Sequence, residues 1–201
     1  MNVMAKRIII TGAPIFTGDD VVEGDLVLRD GLVEHLGAGG TAGGGPAETI
    51  EARGRLVTPG LTIGHTHIYS ALARGVVLPG RPARNFVEIL EKLWWLLDRH
   101  LTLEQVELSA LLHGMDCLKS GVTTVFDHHA SFGAIRGSLA VIAEALARVG
   151  LRGCLCYEVS DRAGQAAARQ SIEENVDFIR GAGSGSGPLV RGMFGLHASF
   201  T

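Results

Sequence analysis

From Leu56 onward, short apolar runs rich in β-branched residues alternate with longer segments of helical periodicity, and this alternation restricts the fold more than any other feature of the sequence. The order predicted is a strand over 56–67, helices over 86–100 and 102–120, a strand over 122–126, a helix over 137–149, a strand over 151–159, a helix over 165–180 and a strand over 189–196. Apolar strands separated by helices form parallel βαβ units with right-handed crossovers. Thr102-Leu103-Glu104-Gln105 supplies an N-cap and a capping-box partner for the second helix. Residues 68–82 contain Gly75, Pro79, Gly80 and Pro82 and read as a loop over the C-terminal end of the first of these strands. Four strands make half of an eight-stranded barrel, and a whole barrel needs about 250 residues. The sequence is therefore expected to be the N-terminal portion of a longer protein.

Residues 1–55 have a different pattern. Short strands are predicted over 7–11, 25–29, 32–36 and 49–52, with Asp30-Gly31 as a hairpin turn and glycine-rich loops over 37–45 and, later in the chain, 181–187. The expected organisation is a small β-sandwich segment over 1–55, incomplete by itself, followed by the first half of a (β/α)8 barrel over 56–201. With 46% apolar residues the chain has ample material for a core. A net charge of -3 with no basic stripe argues against nucleic acid as a partner. No run of about eighteen apolar residues suggests a membrane span. The short N-terminal strand lacks the form of a signal peptide, so a cytoplasmic location is expected. Cys117, Cys154 and Cys156 are an odd set that suits reduced thiols better than disulfides.

The first barrel strand ends in His65-Thr66-His67. Residues i and i+2 of a strand share a face, so the two imidazoles would project together and form part of a site for one divalent metal ion, Zn²⁺ or alternatively Fe²⁺. Beside them in sequence order come Trp94-Trp95, of which one is expected to face the core and the other the pocket, with Trp94 the candidate. Asp127-His128-His129 follows the second strand, and alternation lets one imidazole reach the pocket, with His129 the candidate.

Gly54-Arg55-Leu56-Val57 running through Pro59-Gly60 to His65-Thr66-His67, then Leu93-Trp94-Trp95-Leu96-Leu97-Asp98-Arg99, Thr123-Thr124-Val125-Phe126-Asp127-His128-His129-Ala130-Ser131 and His197-Ala198-Ser199-Phe200-Thr201 resemble the amidohydrolase superfamily, in the branch of SsnA-like and cytosine-deaminase-like aminohydrolases. The resemblance implies a (β/α)8 barrel with a small β-sandwich domain, and hydrolysis of carbon-nitrogen bonds by metal-activated water, most often deamination of a small heterocycle. It implies that His65 and His67 bind the metal, that His197 hydrogen-bonds the substrate, and that the complete protein is a homo-oligomer acting on a small molecule. The remaining metal ligands, a histidine on the fifth strand and an aspartate on the eighth, would lie beyond residue 201. So would the proton-shuttling glutamate and a water-orienting histidine. None of Lys6, Lys92 and Lys119 lies on the fourth strand, which favours one metal over a lysine-bridged pair. Ser199 stands where the family usually has proline. The alternative function is a non-catalytic fragment or half-barrel assembly module that needs a complementary chain.

Overall fold

The computed structural model describes residues 7–39, 45–181 and 189–198, which fall into two compact units divided after Pro59. In the first unit, strands β1 (Arg7–Thr11), β2 (Ile15–Phe16), β3 (Val21–Val22), β4 (Asp25–Arg29), β5 (Leu32–Gly37) and β6 (Glu48–Glu51) form a four-stranded sheet of order β5-β4-β1-β6 and a separate β2-β3 ribbon. The expected strands are present, and among the described residues they form one four-stranded sheet and a two-residue ribbon. The β4-β5 hairpin turns at Asp30 (φ 52°) and Gly31 (φ 82°), two left-handed residues in succession, as hairpin twist requires. A bridge between Ile15 and Val57 carries this unit past Arg55, so Leu56–Pro59 belong with it rather than with the barrel strand.

The second unit holds the parallel sheet. Strands β7 (Leu61–Thr66), β8 (Val122–His129), β9 (Arg152–Val159) and β10 (Val190–Gly192) pair in the order β10-β9-β8-β7, and β11 (Gly195–Leu196) also pairs with β9. Helices α1 (Phe86–Ile89), α2 (Trp95–His100), α3 (Leu103–Lys119), α4 (Ser138–Val149) and α5 (Gln165–Gly181) connect them. All strands run in one direction, so their C-terminal ends lie on one side, where a barrel carries its chemistry.

Local chemistry sets the helix ends. Thr102 Oγ1 accepts from the Gln105 backbone N–H and Gln105 Oε1 accepts from the Thr102 N–H, completing the predicted capping box of α3. Helix α4 is bracketed by Gly137 and Gly150, both at φ 80°, and its free N–H groups at Gly137 and Leu139 are taken by Glu174 from α5. The core between these helices and the sheet is built from Val106, Val125, Leu139, Ile142, Leu146, Leu155 and Val190, all fully buried. Each such leucine or isoleucine contributes about 2 kcal/mol by leaving water.

Two departures from expectation shape the site. Residues 68–73, read as loop, form a 3₁₀ turn (Ile68–Ala73) whose first residue is anchored by Asp127, which accepts from the Ile68 N–H at 2.7 Å. The helix over 86–100 is interrupted between α1 and α2 by a π segment (Leu90–Trp94) that adds a residue to the turn.

Candidate metal and substrate site

His65 and His67 meet at the C-terminal end of β7. Their Nε2 atoms lie 3.2 Å apart, close to the separation of about 3.3 Å that two nitrogens have on one tetrahedral zinc ion. Simple alternation is not what brings them together. Ile63 pairs with Val125 and Thr66 with Asp127, so β7 spends three residues where β8 spends two, and the irregularity falls on Gly64-His65. His67 follows the strand in extended conformation (φ −127°, ψ 91°). Its Nδ1 is 2.7 Å from the His128 carbonyl oxygen. A carbonyl only accepts, so Nδ1–H donates and the Nε2 lone pair faces His65. Histidine metal ligands are commonly held in this way, by a carbonyl on the other ring nitrogen. Burial depresses the His67 pKa, which favours the neutral form a metal ion requires. The pair fits two ligands of a divalent metal ion. Among the described residues no cluster of three His, Cys, Asp or Glu is arranged to complete such a site.

Beside the pair is a cavity of about 370 Å³. Its wall includes His65, His67, Tyr69, Phe86, Trp94 and Trp95, together with Glu158 near the end of β9 and His197 after β11. Tyr69 and Trp94 are packed edge to face, with ring centroids 6.1 Å apart. Glu158 is only 4% exposed. Arg162 Nε donates to its Oε1 at 2.9 Å, and the same guanidinium holds Asp98 through two hydrogen bonds, of 2.5 and 3.3 Å. Arg162 also lies over the Phe132 ring at 4.0 Å and the Trp95 ring at 5.3 Å. Burial pushes the Asp98 carboxyl up to about 6, against the pull of Arg162.

The amidohydrolase family profile matches residues 56–201. The chain belongs to the amidohydrolase family. A 5-methylthioadenosine/S-adenosylhomocysteine deaminase of Desulforudis audaxviator is 31% identical over 204 residues, an alignment covering 97% of this chain and 43% of the relative. Among solved structures, a guanine deaminase from C. acetobutylicum with bound guanine superposes with a TM-score of 0.76 at 13% identity, over 96% of this chain and 46% of that one. A variant of atrazine chlorohydrolase TrzN from Arthrobacter aurescens TC1, complexed with zinc and atraton, gives 0.74 at 20% identity, over 94% and 46%. These structural likenesses establish the fold, a partial amidohydrolase barrel. The chain spans less than half the length of the curated relatives it matches.

In this amidohydrolase chain the structure brings His65, His67, His197 and Trp94 to one cavity. His129 is not among them. Strand β8 continues through His129, and its alternation turns that side chain, with Val125 and Asp127, into the interior. Ser131 Oγ donates to the Ala134 carbonyl, so it accepts from His129 Nε2–H at 2.9 Å. Burial pushes the His129 pKa down to about 3, leaving a neutral structural imidazole. His128 is the residue beside the site, its ring centroid 5.7 Å from His67 and 6.2 Å from His197, with Nε2–H donating to the Leu196 carbonyl at 3.1 Å. Both tryptophans line the cavity beside the π segment, and Trp94 also packs against the core. Glu158, Arg162 and Tyr69 escape a reading of the sequence, although an acidic residue at the C-terminal end of a barrel strand is a usable signal for Glu158.

His197 is placed by Gly195. A Cβ at Gly195 would lie 2.6 Å from the Tyr157 carbonyl oxygen and 2.7 Å from Cys156 Sγ. Gly195→Ala is expected to cost about 2 kcal/mol through this overlap and to move His197 off the cavity wall; a melting temperature equal to that of the parent chain would refute the close approach.

Proposed function

We propose that this chain supplies the metal-binding and ring-binding half of an aminohydrolase site that removes an amino group from a nitrogen heterocycle. The observation that carries the reading is the convergence of His65 and His67 Nε2 at 3.2 Å on the edge of an aromatic-walled cavity. A divalent ion of the zinc or iron class, when bound there, supplies Lewis-acid activation of water near neutral pH. The chain's own groups do the rest: the His128 carbonyl fixes the His67 tautomer, the faces and edges of Tyr69, Phe86 and Trp94 receive a planar ring, and Glu158 and His197 offer it polar contacts. The relatives' names, adenosine-derivative and guanine deaminases, support a purine-like substrate.

The test is ammonia release by the zinc-loaded protein from 5′-methylthioadenosine, 5′-deoxyadenosine, S-adenosylhomocysteine, guanine and 8-oxoguanine. Release from at least one, abolished by His65→Ala, is the expected result. No release from any, with a complementary half-barrel supplied as well as without, would overturn the reading. The alternative is a non-catalytic half-barrel that serves in assembly. It is favoured by β7 and β10, each of which pairs with a neighbouring strand on one side only among the described residues.

A further inference from the structure

The carboxylate of Glu158 is held in one orientation on the cavity wall. Oε1 accepts from Arg162 Nε at 2.9 Å, and Arg162 is itself anchored by the nearly inaccessible Asp98, 1% exposed, and by the Phe132 ring. Oε2 accepts no hydrogen bond among the described residues; His197 Nε2 is 3.7 Å away, too far for one. A carboxylate oxygen with open lone pairs on the wall of a ligand cavity is a fixed acceptor for a ligand donor. Arg162 cannot move to do so, because its other nitrogens are committed to Asp98.

We propose that Glu158 determines specificity in this site: its Oε2 accepts a hydrogen bond from a ring N–H, so that the preferred substrates are amino-substituted lactam heterocycles of the guanine type rather than adenosine-type rings. This rests on the reading of the site as a heterocycle aminohydrolase. The distinction is chemical. In an adenosine derivative the ring nitrogens are all acceptors or glycosylated, and the one N–H source on the base is the amino group that must leave. A guanine-type ring presents a lactam N–H next to the carbon that bears the amino group. A fixed acceptor rewards that N–H and repels a bare ring nitrogen lone pair in the same place. Sites built to hydrogen-bond a substrate group discriminate strongly against analogues that lack it.

The chain allows a test independent of metal and turnover, because its two tryptophans, Trp94 and Trp95, both line the cavity. The metal-free full chain is titrated with inosine, 1-methylinosine and adenosine while tryptophan fluorescence is followed. Inosine carries the lactam N–H, 1-methylinosine has it blocked, and adenosine has a bare nitrogen there. Inosine is expected to bind about tenfold more tightly than either, the worth of one hydrogen bond to a charged acceptor. Glu158→Gln preserves shape and folding, and Arg162 will hold its amide oxygen, so the NH₂ group faces the cavity as a donor. That variant is expected to reverse the preference, favouring adenosine over inosine, while far-UV circular dichroism stays unchanged. Equal affinity for the three nucleosides in the parent chain, or an unaltered ranking in the variant, would overturn the role of Glu158 and leave the aminohydrolase reading standing. No fluorescence response to any of the three would overturn both.

Discussion

His67→Ala is expected to weaken zinc binding by this chain by about 100-fold or more, while His65→Ala does the same from the other side of the site. The two imidazoles act as a pair: with Nε2 atoms 3.2 Å apart they chelate one ion with little rearrangement, and either alone supplies a single ligand. His67 carries the greater share of the preorganisation, because its tautomer is fixed by the His128 carbonyl at 2.7 Å and its backbone is fixed next door by the Asp127 contact to the Ile68 N–H. Ligand loss of this kind removes binding outright, whereas loss of a supporting partner costs about 10- to 100-fold. Metal equivalents per chain after dialysis against zinc, measured by elemental analysis for the parent and both variants, decide the matter. Parent-like zinc content in His67→Ala would show that the ion, if any, is held elsewhere. Activity of the zinc-loaded parent protein, where found, is expected to vanish with the metal in both variants.

How much of this was legible in the sequence depends on the range of the interaction. Features set within a few residues were readable: the strand and helix alternation from β7 to β11, the Thr102/Gln105 capping box, the Asp30-Gly31 turn and the spacing of His65 and His67. Each is fixed by a local period or cap, and the helix and strand periods differ enough to tell apart. The choice between His128 and His129 was not readable. It turns on which face of β8 looks into the half-barrel, and that is decided by β7 and β9, which flank it in the sheet. Alternation along the chain says only that one of the two faces the pocket, not which one. The ion pair of Asp98 with Arg162 joins residues 64 positions apart, and no local period signals it. The π segment at Leu90–Trp94 hides in an ordinary helical pattern, so both tryptophans reach a cavity that regular helical spacing would grant to one.

The largest stability effect is expected at Asn175. Strand β10 ends at Gly192 and β11 begins at Gly195, so the predicted single strand over 189–196 is broken at Met193-Phe194. Beside that break β9 has Tyr157, whose backbone groups would lack a ladder partner on this side. Asn175, fully buried on α5, fills the place of the missing strand: its Oδ1 accepts from the Tyr157 N–H at 2.9 Å and from the Gly195 N–H at 3.4 Å, and its Nδ2 donates to the Tyr157 carbonyl at 2.9 Å and the Ser171 carbonyl at 3.0 Å. Asn175→Leu keeps the bulk and removes every one of these bonds. Two buried groups of Tyr157 are then unpaired, at about 1 to 3 kcal/mol each, so the variant is expected to lose about 4 kcal/mol. That is a large share of the 5 to 15 kcal/mol typical of a domain. Urea denaturation followed by circular dichroism measures it, with the midpoint falling and the slope unchanged. A loss below about 1 kcal/mol would mean that water or a shifted β11 replaces the amide. The consequence for function is direct, since Glu158 is the next residue after Tyr157 and His197 lies two after Gly195: the amide that repairs the broken strand also holds Glu158 and His197 at their positions on the cavity wall.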